Sequence, residues 1–310
     1  MSIIKLKPAC KDYIWGGDRL IKEYGIKNDG KICAEAWVLS GHKDGLSTVA
    51  DGAFRGRTLA EVNADHNILG KNCSKYAEFP VLIKLIDVNK PISIQVHPDD
   101  AYALKHEGQY GKTEMWYILS AEEGAFLYLG FEHDVSKDEL EERIKNNTLE
   151  EILHKEYVKP GDVVFIEPGT LHSIGAGVMV AEIQQSSNVT YRIYDYGRLG
   201  ADGKPRQLHV EKALDVLKRE PAMKYEQKGE HLVECPYFCV DKADVREGAP
   251  YAGNADERSF ASILVIEGEC TISAAGDSVN ARKGESYLIE AGTGTYSISG
   301  NASVLITAVP

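Results

Sequence analysis

The chain has 310 residues, 43% of them apolar and 26% charged, enough apolar material for a sizeable core and no signature of disorder. Its formal net charge of −12 argues against a nucleic-acid partner, which needs clustered Lys and Arg to displace counterions; a small anionic ligand needs only a local basic pocket. No window approaches the roughly 18 apolar residues of a membrane span, and the opening MSIIKLKPACKDY has no secretory core, so the expectation is a cytoplasmic protein that does not contact a membrane.

In chain order, residues 3–8 read as an opening strand and 17–24 as a short helix ended by Gly25. EAWVL, residues 35–39, reads as a strand, and Thr58 with Glu61 forms a capping box for a helix to about Ile68. Residues 81–88 are apolar apart from Lys84 and Asp87, as in a buried strand, which makes Lys84 costly unless it points into a polar cavity. Asp99 is placed to cap a helix closed by Gly108, and Ser136 with Glu139 opens a charged, solvated helix. Strands follow at 163–166, 177–184 and 189–194, then a helix at 208–219 that would cross to a second domain. The tail from about Lys228 reads as short strands alone. Cys10, Cys33, Cys73, Cys235, Cys239 and Cys270 form no CxxC pair, which fits reduced structural thiols.

Three motifs concentrate chemistry. In PISIQVHPDD, residues 91–100, the period of two puts Ser93, Gln95 and His97 on one face of a strand. In KTEMWYIL, residues 112–119, Lys112, Glu114 and Trp116 share a face, expected on a neighbouring strand. His172 follows the Pro-Gly turn of PGTLH. Two imidazoles, a carboxylate and an amide oxygen suit one zinc-like divalent ion, with a position left for a substrate oxygen; Gln95 is the weakest of the four donors. Lys84, Lys112, Arg192 and Arg198 are the cations available to such a site.

KPGDVVFIEPGTLHS (159–173) also aligns without a gap on RKGESYLIEAGTGTY (282–296), pairing His172 with Thr295. The expected fold is mainly β, two cupin-like (double-stranded β-helix, jelly-roll) domains with a few short helices. Residues 1–225 would hold the metal and 226–310 would not.

FPVLIKLIDVNKPISIQVHPDD (79–100), KTE (112–114) and YRIYDYGR (191–198), with KDYIWGG (11–17) and CAEAWVLSGH (33–42), resemble the type I mannose-6-phosphate isomerases in their short bacterial form. The resemblance implies zinc-dependent interconversion of mannose 6-phosphate and fructose 6-phosphate through an enediol. It implies Arg192, Lys112 and Glu182 as catalytic residues and Ser93 and Glu35 as substrate-binding ones; Lys84, if turned into the polar cavity, would join the substrate-binding set, and the chain is expected as a monomer or homodimer. The rival readings are a non-haem iron cupin oxygenase, which uses the same two-His-one-Glu set, and a sugar-binding cupin without catalysis.

Overall fold

A computed structural model describes residues 2–200, 203–227 and 229–310; Lys228, where the strand-rich tail was expected to begin, lies outside them. Among the described residues the fold is mainly β, with three antiparallel sheets and a few short helices.

Two sheets face each other in the first part of the chain. One runs Val163–Ile166, Glu114–Ala121, Val178–Gln185, Val81–Val88, Glu35–Leu39, Ala9–Lys11; the other runs Tyr191–Tyr194, Ile94–Val96, His172–Ile174, Phe126–Phe131, Leu153–Tyr157. Ile86, Trp116, Ile118 and Val180 from the first pack on Leu127 and Ile174 from the second, closing the sandwich at one end. The mostly apolar run of Val81–Val88, broken by Lys84 and Asp87, now has its reason. Val81, Ile83 and Leu85 enter a second core, shared with Phe238, Phe260, Leu264 and Leu305 of the C-terminal half, so both faces of this strand are covered.

The third sheet has nine strands and carries its own interior core, which includes Ile263, Ile272, Tyr287 and Ile298. It also takes in the opening strand Ile3–Lys7, paired with Ser286–Ile289.

All three helix caps read from sequence are present: Thr58 and Glu61 form a reciprocal capping box, Asp99 Oδ1 accepts from Tyr102 N at 2.8 Å, and Ser136 Oγ accepts from Glu139 N at 3.1 Å. Two helices are shorter than expected. The first is one turn, Arg19–Lys22, and the late one is Val210–Val216, packed on Tyr191–Tyr194 instead of crossing between domains. The internal echo is structural. Gly161 and Gly284 both have positive φ, 92° and 87°, ahead of the strands Val163–Ile166 and Ser286–Ile289. In each turn an acidic side chain accepts from the same relative amide, Lys159 N to Asp162 and Arg282 N to Glu285, at 2.8 and 3.2 Å.

Candidate active site

Gln95 lies in Ile94–Val96, His97 directly follows it, and His172 opens the strand paired with it, as the Cα partner of Gln95. Glu114 comes from the facing sheet and not from a neighbouring strand, so the ligand set spans the sandwich. His172 Nε2 is 3.1 Å from His97 Nε2 and 3.2 Å from Glu114 Oε1, and His97 Nε2 is 3.6 Å from that oxygen. All three residues are buried.

His97 Nδ1 lies 2.8 Å from the Val189 carbonyl and His172 Nδ1 2.9 Å from the Thr170 carbonyl. A carbonyl only accepts, so each Nδ1 carries the proton and each Nε2 offers a lone pair. Burial pushes both imidazoles down, His97 well below the usual range and His172 to about 4, so both rings are neutral near pH 7. Two imidazole lone pairs and a carboxyl oxygen therefore converge, with no imidazole proton between them. Glu114 Oε1 is buried without a hydrogen-bond partner, and Oε2 faces the Lys112 ammonium at 2.8 Å. A divalent ion of the zinc type fits this donor set. Gln95 turns its nitrogen inward, Nε2 at 3.5 Å from His172 Nε2, while its Oε1 accepts from Ser93 Oγ at 3.1 Å. Its oxygen reaches the ligand cluster only with the amide turned over.

A cavity of about 260 Å³ opens beside this cluster. One wall is a buried ionic row. Lys84 Nζ is 2.8 Å from Glu182 Oε1 and 3.8 Å from Glu35 Oε2, and Lys112 Nζ is 3.6 Å from Glu182 Oε1. Burial alone would raise the Glu182 carboxyl, but Lys112 and Lys84 outweigh it and hold the group charged, well below the usual carboxylate range. Burial would likewise depress Lys84, yet Glu182 and Glu35 raise it. Glu114 goes the other way, raised to about 7 by burial against the pull of Lys112.

The opposite wall is cationic. Arg192, a Cα partner of Gln95, donates from Nε to Ser93 Oγ at 3.2 Å and from a terminal nitrogen to the Gln207 carbonyl at 2.8 Å. Arg198, one of the cations nominated from sequence, does not line the cavity; it is tied to Asp195 and the Pro91 carbonyl. Arg206 takes that place, with Nε 2.7 Å from Asp195 Oδ2. Sequence reading passed over Arg206 because its loop carries no periodicity, and passed over Tyr13 and Trp15 as lining residues although they sit in the KDYIWGG motif.

Residues 3–124 match the family model described as phosphomannose isomerase type I, catalytic domain, and residues 228–309 match mannose-6-phosphate isomerase, cupin domain. A mannose-6-phosphate isomerase of Streptococcus mutans is 38% identical over 306 residues, 94% of this chain and 93% of that protein. The chain belongs to the type I phosphomannose isomerase family. A second relative, a mannose-6-phosphate isomerase of Bacillus subtilis, is 34% identical across 97% of each chain. The crystal structure of the mannose 6-phosphate isomerase from Bacillus subtilis superposes with a TM-score of 0.91 at 35% identity, covering 99% of both chains. In this member of the phosphomannose isomerase family the two cupin copies differ at one telling place: buried His172 is matched in the second copy by exposed Thr295.

Proposed function

We propose that this chain interconverts mannose 6-phosphate and fructose 6-phosphate through an enediol, with one zinc-type ion held by His97, Glu114 and His172, and by Gln95 once its amide turns. The observation that carries the reading is that three converging ligand atoms at 3.1–3.6 Å stand beside a cavity lined by the cations Lys112, Arg192 and Arg206. When bound, such an ion would act as a Lewis acid toward the sugar's C1 and C2 oxygens.

The protein's own groups supply the rest. Glu182 lies on the cavity wall beside Lys112 and Lys84, where its carboxylate can take the proton from one carbon and return it to the next. Lys112, between Glu114 and Glu182, donates to the oxygen on which charge develops. Lys84 and Glu35 hold Glu182 in place from behind. Arg192 and Ser93, already hydrogen-bonded to each other, and Arg206 offer donors to the phosphate and the developing oxyanion. Ile86, Trp15 and Ile92 line the same cavity and limit water around these charges.

We further place the metal-bearing cupin in residues 1–225 and the ligand-free one in 226–310, with Ile3–Lys7 reaching across to join the nine-stranded C-terminal sheet. The compartment proposed is the cytoplasm, where the six unpaired cysteines stay reduced.

The test is to give purified protein mannose 6-phosphate, with and without chelator, and to measure fructose 6-phosphate and bound metal. Turnover lost on chelation and restored by zinc supports the reading. Turnover indifferent to chelation, or iron with oxygen consumption and no isomerisation, overturns it.

A further inference from the structure

The segment that delivers Lys112 and Glu114 has no sheet partner until Glu114 itself, so its backbone amides must find acceptors elsewhere. Three consecutive amides do. Gly111 N donates to Asp100 Oδ1 at 2.8 Å, Lys112 N to the Pro98 carbonyl at 3.0 Å, and Thr113 N to Gln185 Oε1 at 2.8 Å. The Gln185 amide in turn donates to the same Asp100 Oδ1, at 2.9 Å. Backbone lies directly on backbone here, since a Cβ at Gly111 would stand 2.4–2.7 Å from atoms of Pro98, Asp99 and Asp100. Asp100 is thus the hub that registers this segment against the turn after His97.

The remaining oxygen of that carboxylate is claimed from the other half of the molecule. Tyr237 OH donates to Asp100 Oδ2 at 3.0 Å. Tyr237 sits in the turn joining His231–Glu234 to Cys239–Val245, held by Cys235 N to the Phe238 carbonyl at 3.0 Å, with the Phe238 side chain fully buried in the shared core. A carboxylate rotates freely about its last torsion. The tyrosine pins that rotation and so holds both bonds accepted by Oδ1.

We propose that Tyr237, acting through Asp100, is a positioning residue for Lys112 and Glu114, so that the ligand-free C-terminal half sets the geometry of the catalytic half. The proposal rests on the functional reading above for what Lys112 and Glu114 do. Its contact network stands independently of that reading.

The experiment compares full-length Tyr237→Phe with Tyr287→Phe, which removes a different C-terminal hydroxyl, one bonded to Glu285 Oε2 at 2.8 Å and the Asn280 carbonyl at 3.1 Å. Hydrogen–deuterium exchange of the amides at 111–113 should quicken about 2- to 12-fold in Tyr237→Phe, the loss expected for one hydrogen bond, and stay at the wild-type rate in Tyr287→Phe. At a temperature where every variant is folded, kcat should fall by a similar factor in Tyr237→Phe alone, with KM and metal content unchanged. Adding Asp100→Asn to Tyr237→Phe should cost less than the sum of the two single changes. Unchanged exchange at 111–113, an equal kcat loss in Tyr287→Phe, or strict additivity would overturn the proposal. If Asp100→Asn does not fold, the two tyrosine variants decide alone. A wild-type chain without isomerase activity would sink the functional reading, while the exchange comparison would still judge the contact.

Discussion

Lys84 and Glu182 are Cα partners on adjacent strands, and their charged ends meet at 2.8 Å with both side chains 5% exposed. The same cross-sheet row continues to Trp37 on one side and Trp116 on the other. Trp116 Nε1 donates to Glu182 Oε2 at 2.9 Å, and the Lys84 ammonium stands 5.2 Å from the centre of the Trp37 ring. Strand register alone therefore builds an ion pair between two indoles, dry enough to be strong and costly to break.

Lys84→Met should destabilise the fold by about 3–5 kcal/mol, because it removes one partner of a buried pair and leaves Glu182 with the more distant Lys112 as its cation. Lys84→Met combined with Glu182→Gln should recover much of that loss while remaining inactive. Urea denaturation of the single and double variants checks this; a single variant within 1 kcal/mol of wild type would show that Lys112 compensates.

His97→Ala or His172→Ala should lose bound metal and turnover yet keep the fold, since the cores do not depend on one ion. Metal analysis with circular dichroism decides, and full metal occupancy in either variant would remove that histidine from the ligand set. Thr295→Ala, at the matching place in the second copy, should leave turnover unchanged.

Arg192→Ala should lower kcat by about 10²–10³ and raise KM far less, if its donors act on the developing oxyanion. Arg192→Lys should rescue poorly, because lysine keeps the charge without the fork that reaches both Ser93 and Gln207. Steady-state kinetics distinguishes this from a phosphate anchor, for which KM would rise at nearly constant kcat.

Asp195 holds Arg198 and Arg206 together; burial would raise its carboxyl, but hydrogen bonds from the two arginines lower it below the ordinary aspartate range. A depressed folded pKa contributes stability above the unfolded value, about 3.9, which is lost as pH falls through the folded value. The Tm gap between wild type and Asp195→Asn should therefore be widest near neutrality and narrow below about pH 4. A gap that widens in acid would contradict the sign of the shift.

The local pattern of this chain determined a good deal. A period of two put Gln95 on the face of His97, Thr58 with Glu61 announced a helix start, and the glycine-turn echo marked two copies of one turn. Each rests on neighbours a few residues apart, whose geometry the backbone dictates. Only the tertiary structure decided the rest. That Glu114 faces the histidines from the opposite sheet, that Ile3–Lys7 pairs with Ser286–Ile289, and that Arg206 replaces Arg198 at the cavity are all matters of long-range pairing. Alternation tells which side of a strand a residue takes, but not which strand lies beside it or which sheet lies across. Those choices are made by the burial of whole faces against one another, a property of the assembled cores that no short window of sequence contains.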